Sequence, residues 1–238
     1  MSAENTITKE NLDFYLRELA KEYRKLNGTK VKAEIILVGG AAVLANYGFR
    51  EMTVDIDAII EASGAMKDAI NRVGDRYGLP VGWLNADFRK TASYSDKLYE
   101  HSEYLFTRSN VLEVRTIRAE YLIAMKLVSG RRYKKDLSDI IGILYEQQKQ
   151  RKPVTLEMIN RAVLELYNSW DSVDMYAKAV LEKALASDDL ASLFEIQMAE
   201  ETQAKDAVLE IDKKYPNLIN ADNINEIIEQ AKKKKHTN

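Results

Sequence analysis

An apolar segment that ends in two consecutive glycines places the strongest constraint on the fold of this chain. Residues 34–38 form a short apolar segment that is rich in β-branched side chains, and Gly39 and Gly40 follow it directly. Such a segment predicts a buried strand that runs into a tight turn. Residues 41–47 are mostly small and apolar and predict a short helix. The sequence therefore predicts a strand, a glycine turn and a helix in direct succession.

The next segment carries two acids at alternate positions. Residues 53–60 alternate between polar and apolar side chains, which predicts a strand with Asp55 and Asp57 on one face. Two carboxylates about 7 Å apart at their Cα atoms repel each other unless a cation compensates them. Mg²⁺ prefers oxygen ligands and suits this pair. The alternative is a solvated face of an edge strand, but the glycine turn upstream favours a metal site.

The first half of the chain combines predicted helices and strands. Residues 108–110 are suited to the turn of a hairpin, whereas residues 79–99 contain Pro80 and many polar residues and predict a loop. Periodic patterns predict helices at residues 9–27 and 64–77, and strands at residues 104–107 and 111–117.

After Arg118 every predicted element is a helix. These helices are expected at residues 119–129, 134–148, 155–168, 172–186, 189–214 and 222–235. The predicted fold class is therefore α+β, with an N-terminal mixed β-sheet flanked by helices and an all-helical C-terminal region. We expect two domains, residues 1–118 and residues 119–238, with the helical domain packed against the cleft of the first.

Composition excludes several classes of protein. The chain has no cysteine and two histidines, which excludes disulfides, thiolate zinc sites, cysteine nucleophiles and histidine-rich metal sites. The net charge of -2 gives no broad positive field, so any contact with nucleic acid must be local. No apolar stretch approaches the roughly 20 residues that span a bilayer, and the first residues lack a signal pattern. We expect a cytoplasmic protein with no membrane partner.

The glycine turn and the acid pair together resemble a known motif. Residues 38–44, followed by Arg50, Thr53 and the two aspartates, look like the first motif of the DNA polymerase β-like nucleotidyltransferase superfamily. More narrowly, they are similar to the minimal nucleotidyltransferase domains that include the AbiEii-type abortive-infection toxins. The likeness is good over residues 35–60 and continues more weakly to about residue 145. This chain departs from many members in having Gly-Gly where they have Gly-Ser, which removes a hydroxyl from the turn.

The resemblance implies an N-terminal nucleotidyltransferase fold and a role for each motif residue. It implies that Asp55 and Asp57 hold two Mg²⁺ ions, in a two-metal site of the kind that assists phosphoryl transfer. It also implies that the triphosphate of a nucleoside triphosphate binds at Gly39, Gly40, Arg50 and Thr53.

A third carboxylate usually joins the pair from a neighbouring strand. Glu113 is the candidate because it lies between apolar residues in the predicted strand 111–117. Its expected role is metal ligation or removal of the acceptor hydroxyl proton. The alternative is an outward-facing residue of an alternating strand, and Glu103 and Glu120 are the other candidates.

A lysine and two acids in the helical half resemble further positions of the AbiEii-type proteins. Lys126 lies in an otherwise apolar helical stretch, which indicates a cleft or a salt bridge, and it could hold a nucleotide phosphate as a catalytic group. The alternative is a surface lysine that extends its charge to solvent. Asp136 and Asp139 are one helical turn apart, so they could contact the nucleotide, or orient Lys126 or Arg131.

Together the motifs predict an enzyme, a metal-dependent nucleotidyltransferase. It would move a nucleoside monophosphate from a nucleoside triphosphate to an acceptor hydroxyl and release pyrophosphate. The likeness to AbiEii-type toxins implies RNA or tRNA as acceptor and an antitoxin protein as partner. Two alternatives stay open: a catalytically weak binding or regulatory module on the same fold, and a small-molecule nucleotidyltransferase of the antibiotic-modifying type.

Overall fold

The computed structural model confirms the α+β class. It describes residues 6–216, 218–220 and 223–235, with side chains as far as residue 230. The chain packs as two compact units: unit 1 is Met1–Met125 with Glu157–Trp170, and unit 2 is Lys126–Leu156 with Asp171–Asn238. The expectation of two domains that divide at residue 118 stays a prediction.

Unit 1 contains the β-sheet. Its first helix begins after Thr8 because the Thr8 hydroxyl and the Asn11 side chain each accept a hydrogen bond from the other's backbone N–H. The elements before residue 118 are β1 (Ile7–Thr8), α1 (Lys9–Asn27), β2 (Ala33–Leu37), α2 (Gly39–Asn46), β3 (Met52–Thr53), β4 (Ile56–Glu61), α3 (Ala65–Tyr77), β5 (Leu84–Asn85), two 3-10 helices (Asp87–Lys90 and Asp96–His101), β6 (Ser102–Arg108) and β7 (Leu112–Ile117).

Among the described residues, the main sheet has five strands in the order β5-β4-β2-β7-β6. The central strand β2 runs parallel to β7 and antiparallel to β4, and β4 runs parallel to β5. Residues 35–37 are fully buried, which explains why this strand has a continuous apolar sequence. Because β2 and β7 are parallel, their carboxyl ends lie at the same edge of the sheet. That edge therefore carries the glycine pair and the start of the helix that follows β7.

The predicted hairpin is confirmed. β6 and β7 pair antiparallel, and the turn between them contains Ser109 and Asn110, with φ of 53° and 59°. Such positive φ values are typical of tight hairpin turns. Both strands fall within two residues of their predicted bounds.

Four features of unit 1 differ from the prediction. The strand expected at residues 53–60 is broken, because Val54 and Asp55 form a bend between β3 and β4. The two-residue strands β1 and β3, which pair with each other, were not predicted. The short strand β5 lies in the segment expected to be a loop, and α2 begins at Gly39 rather than Ala41.

The six helices predicted after Arg118 are confirmed. They are α4 (Ala119–Ser129), α5 (Asp136–Lys149), α6 (Leu156–Tyr167), α7 (Met175–Leu185), α8 (Leu190–Lys214) and α9 (Ile224–Lys235). In unit 2, α5 packs against α7 and α8, and its residues 136–144 are buried. Within the described residues, every helix is too short or too polar to span a lipid bilayer.

Candidate active site

The glycine turn lies at the carboxyl end of the central strand β2. Gly39 has a φ of 54°, a conformation that glycine adopts far more readily than other residues. Val38 is the N-cap of α2 and offers no side-chain acceptor, so the first amide groups of α2 have no intrahelical or capping partner. Amide groups at such a helix start favour anions. The turn is therefore suited to bind a phosphate.

Asp57 faces this turn from the neighbouring strand β4. Its backbone carbonyl accepts a hydrogen bond from Val38 N at 3.0 Å, which ties β4 to the end of β2. A Cβ at position 39 would lie 3.6 Å from Asp57 Oδ2, so the carboxylate lies directly beside the glycine. The side chain is half-buried. A carboxylate and a turn suited to an anion are thus adjacent.

Asp55 does not lie on the strand that carries Asp57. It is a half-buried residue of the bend before β4, whose first residue is Ile56. The prediction that both acids share the face of one strand is therefore wrong for Asp55. The physical reason is that the chain leaves the β1–β3 pair at Thr53 and turns before it enters the main sheet.

Arg50 and Thr53 lie against Gly40. A Cβ at position 40 would lie 2.8 Å from Arg50 Nη2 and 2.8 Å from Thr53 Oγ1, closer than real Cβ contacts allow. Thr53 is buried, and Arg50 Nε donates to the carbonyl oxygen of Met52 at 3.2 Å. A residue with a Cβ at position 40 would therefore require Arg50 or Thr53 to move. The guanidinium of Arg50 and the hydroxyl of Thr53 thus both lie directly beside the glycine turn.

The structure does not bring Glu113 to this corner. Glu113 is level with Glu34 near the start of β2, whereas Asp57 is level with Val38, four residues further along the strand. Four residues of strand correspond to about 13 Å. Glu113 instead pairs with Arg115 at 2.8 Å.

The other two acids considered for the third position lie elsewhere. Glu120 is in the first turn of α4, which begins two residues after β7 at the glycine edge of the sheet, and its Oε1 is 3.7 Å from Arg118 Nε. Glu103 is exposed on β6. In the part of the chain that the structure describes, no group of three or more acidic or histidine side chains is placed to hold a metal ion.

Lys126 is buried in an ion-pair cluster within unit 2. Its Nζ lies 2.8 Å from Asp136 Oδ1 and 2.8 Å from Asp139 Oδ2, and the residue is 5% exposed. Arg131 Nε donates to Asp136 Oδ2 at 2.7 Å. The reading of Asp136 and Asp139 as residues that orient Lys126 and Arg131 is confirmed, and the reading of Lys126 as a surface lysine is wrong. Contact of these three residues with a nucleotide stays a prediction.

The cluster shifts the pKa of Asp136. Burial alone would raise the pKa of this carboxyl, but the charges and hydrogen bonds of Lys126 and Arg131 outweigh burial and hold it well below its usual range. Asp136 is therefore ionised at neutral pH. Removal of Lys126 would leave buried negative charge that Arg131 alone does not fully compensate.

Glu201 is a buried carboxyl that the sequence did not reveal. It lies on α8 and accepts hydrogen bonds from the backbone N–H groups of Leu137 and Ser138 at the start of α5. Burial raises its pKa to about 8, although these hydrogen bonds act in the opposite direction. Glu201 therefore caps α5 from a distant part of the chain, and no local pattern could have indicated it.

The raised pKa of Glu201 predicts a pH dependence of stability. The unfolded chain loses this proton near pH 4.5 and the folded chain near pH 8, so stabilisation present below the lower value is lost as pH rises through the interval. The contribution falls by at most about 1.4 kcal/mol per pH unit. We expect Glu201→Gln to flatten the dependence of the unfolding free energy on pH, as measured by urea denaturation across this interval. The exposed Glu182→Gln should keep the wild-type slope, and an unchanged slope in Glu201→Gln would refute the assignment.

A hydrogen bond between Asn46 and Thr116 connects helix α2 to the main sheet. The sequence did not indicate this pair. Asn46 Nδ2 donates to Thr116 Oγ1 at 2.7 Å, which joins the end of α2 to β7. Thr116 is fully buried. The only local signal is a polar residue at the end of an otherwise apolar segment. This contact fixes the direction in which α2 leaves the turn.

A glycine turn after a central strand, faced by an acid on the next strand, is the arrangement of a nucleotidyltransferase-type α+β protein. The chain belongs to the family described as nucleotidyltransferase of unknown function (DUF6036), whose model matches residues 15–178. The comparisons with curated proteins and with solved structures each gave no match. The nucleotidyltransferase prediction is thus supported at the level of the family, and the narrower likeness to AbiEii-type toxins stays a prediction.

Proposed function

We propose that the protein transfers a nucleoside monophosphate from a nucleoside triphosphate to an acceptor hydroxyl and releases pyrophosphate. The observation that carries this proposal is the position of Asp57, whose carboxylate lies beside the Gly39 corner. Membership of a nucleotidyltransferase family supports the class of reaction.

The phosphate-binding role falls to four residues at this corner. The amide groups at the start of α2, including those of Gly39 and Gly40, would donate to phosphate oxygens. Arg50 supplies a planar guanidinium and Thr53 a hydroxyl beside the same turn. These residues would orient the triphosphate so that the acceptor hydroxyl can attack the α-phosphate, and pyrophosphate leaves as the bond between the α- and β-phosphates breaks.

The donor set at the corner fits magnesium. Asp57 and, from the preceding bend, Asp55 offer the carboxylate oxygens that Mg²⁺ prefers, and they would hold it. When bound, Mg²⁺ neutralises charge on the triphosphate and lowers the pKa of the attacking hydroxyl. No third ligand is proposed, because no three acidic side chains among the described residues are placed to hold a metal ion. Glu113 is not proposed, given its position about 13 Å along the strands.

A substitution at Gly40 tests the role of Arg50 and Thr53. In Gly40→Ala the new Cβ would collide with both side chains and displace the guanidinium from the turn. A charge-assisted hydrogen bond lost in this way should weaken nucleotide binding by about tenfold or more. The dissociation constant of a fluorescent nucleoside triphosphate measures the effect. Gly48→Ala is the matched control, since nothing lies within 4 Å of its Cβ, and equal binding by both variants would contradict the proposal.

The acceptor is proposed to be RNA, with tRNA as the first candidate, and an antitoxin protein is proposed as partner. This part of the proposal rests on the likeness to AbiEii-type toxins. A second candidate function is a binding module that holds nucleotide without transfer. It is favoured by one observation: among the described residues no three acids converge on a cation site.

One experiment separates these functions. The purified chain is incubated with Mg²⁺ and each labelled ribonucleoside triphosphate in turn, either with total RNA or with an aminoglycoside. Bound nucleotide, pyrophosphate and labelled RNA are measured. Pyrophosphate with labelled RNA is the expected result. Nucleotide binding without pyrophosphate would establish the binding module, and pyrophosphate that depends on an added aminoglycoside would establish the small-molecule alternative. A protein that binds no nucleotide would refute the proposal.

A further inference from the structure

Arg118 lies at the same edge of the sheet as the glycine turn, on the other side of β2 from Asp57. In the sheet, β2 has β4, the strand of Asp57, on one side and β7 on the other. Leu37 is paired with Thr116, and Gly39 and Arg118 each follow two residues later. Because adjacent strands are about 4.8 Å apart, the two chains leave the sheet side by side. An anion at the start of α2 is therefore within reach of a side chain as long as that of arginine.

The guanidinium of Arg118 is held by neutral groups. Its Nη2 donates to His101 Nδ1 at 2.9 Å, and its carbon lies 4.7 Å from the centre of the Tyr121 ring. Since arginine has only donors, His101 Nδ1 must accept, so the imidazole is neutral and carries its proton on Nε2. Burial lowers the pKa of His101, although the charge of Glu165 acts in the opposite direction, and this favours the neutral ring. These contacts fix the guanidinium without neutralising its charge.

The charge of Arg118 is only weakly compensated. Glu120 is the acid that pairs with it, and Glu120 Oε1 is 3.7 Å from Arg118 Nε, beyond the usual length of a hydrogen bond. By comparison, Arg115 Nη1 lies 2.8 Å from Glu113 Oε1. The Arg118 side chain is 42% exposed, and within the described part of the chain its Nη1 makes no hydrogen bond. Arg118 therefore retains both charge and N–H donors for an anion.

We propose that Arg118 binds a phosphate of the triphosphate at the glycine turn, from the side of β7. The inference rests on the proposed binding of a triphosphate at that turn, and it adds a binding residue from outside the glycine and aspartate motif. A planar guanidinium matches the oxygen geometry of a phosphate and donates two parallel hydrogen bonds to it. Asp57 and Arg118 would then act on the triphosphate from opposite sides of β2, the first through a cation and the second directly.

The affinity of the full chain for inorganic tripolyphosphate with Mg²⁺ tests the inference without any contribution from a nucleotide base. Arg118→Gln removes the charge and should raise the dissociation constant, measured by calorimetry, by about tenfold or more. Arg89→Gln is the matched control, because the Arg89 side chain is 43% exposed and pairs with Glu61 at the other end of the sheet. Its dissociation constant should stay within about twofold of the wild-type value. Equal affinity of folded Arg118→Gln and the wild type would overturn the inference and leave the proposed transfer reaction standing.

A second measurement uses the wild-type chain and does not depend on the folding of a variant. Phenylglyoxal modifies exposed arginines, and the side chains of Arg118 and Arg89 are exposed to a similar extent. Tripolyphosphate at about ten times its dissociation constant should slow the modification of Arg118 by about tenfold and leave that of Arg89 unchanged. Mass spectrometry of the proteolytic peptides measures both rates.

Three results of this measurement would count against the inference. Bound tripolyphosphate that leaves Arg118 as reactive as before would overturn it. Protection of Arg118 by RNA but not by tripolyphosphate would assign the residue to the acceptor and overturn it as well. A chain that binds neither tripolyphosphate nor a nucleoside triphosphate would refute both the inference and the proposed function.

Discussion

Asp57→Asn is expected to abolish nucleotidyl transfer while the protein remains folded. The substitution keeps the shape of the side chain and removes the charge that faces the Gly39 corner. Loss of a metal ligand at the reacting phosphate should reduce the rate by about a thousandfold or more, equivalent to about 4 kcal/mol of transition-state stabilisation. The initial rate of pyrophosphate release at saturating triphosphate measures this effect. Asp55→Asn should lower the rate in the same direction.

Asp87→Asn is the matched control for this experiment. Asp87 is an exposed acid in a 3-10 helix of unit 1, where it pairs with Lys90 at 2.6 Å. Its loss should leave both the rate and the circular dichroism spectrum unchanged. A near-normal rate in both Asp57→Asn and Asp87→Asn would show that the Asp57 carboxylate takes no part in the reaction.

Lys126→Ala is expected to lower the free energy of unfolding by about 3–5 kcal/mol. The reason is that Asp136 and Asp139 are almost fully buried and share this ammonium, so its removal leaves negative charge without a sufficient counterion. Arg131 still contacts Asp136, but it is partly exposed and does not replace the lysine. Chemical denaturation of the variant and the wild type gives the difference directly.

Lys149→Ala separates the effect of burial from that of a lost ion pair. Lys149 pairs with Glu146 at 2.9 Å on the surface of α5, and such exposed pairs contribute less than about 1 kcal/mol. If Lys126→Ala were no more destabilising than this control, the buried ion pairs of Lys126 would contribute no more to stability than an exposed pair does.

The sequence predicted those parts of the fold that depend on local patterns. The helices at residues 9–27 and 119–129 were predicted with both ends correct, because apolar periodicity and capping residues are local signals. The central strand β2 was clear because it is buried on both faces. By contrast, β1 and β3 have two residues each, too few to show a period, and they form only because they pair with each other.

The errors in the site have the same physical origin. Alternation of polar and apolar residues continues through residues 53–60, so the pattern could not show that the chain bends at Val54, which is 61% exposed. Alternation also gives the face on which Glu113 lies but not its level along the sheet, which depends on the register between β2 and β7. Which acids lie close together in three dimensions could therefore be determined only from the pairing of the strands.

The corner formed by Gly39, Gly40, Arg50, Thr53 and Asp57 was predicted more fully. Each of these residues belongs to one short motif, and the structure brings Gly39 next to Asp57 and Gly40 next to Arg50 and Thr53. The ion pairs of Lys126 were one of three predicted interpretations, beside a nucleotide contact and a surface lysine, and only the geometry could exclude the surface lysine. Glu201 is 64 residues from the backbone N–H of Leu137 that it caps, a separation at which sequence periodicity carries no information.

A crystal structure of the full chain with Mg²⁺ and a non-hydrolysable nucleoside triphosphate would show whether the glycine turn binds the triphosphate. We expect phosphate oxygens within hydrogen-bond distance of the amide groups of Gly39 and Gly40, with Mg²⁺ between the triphosphate and Asp57. A triphosphate bound elsewhere on the chain, with no metal contact to Asp57, would contradict this expectation.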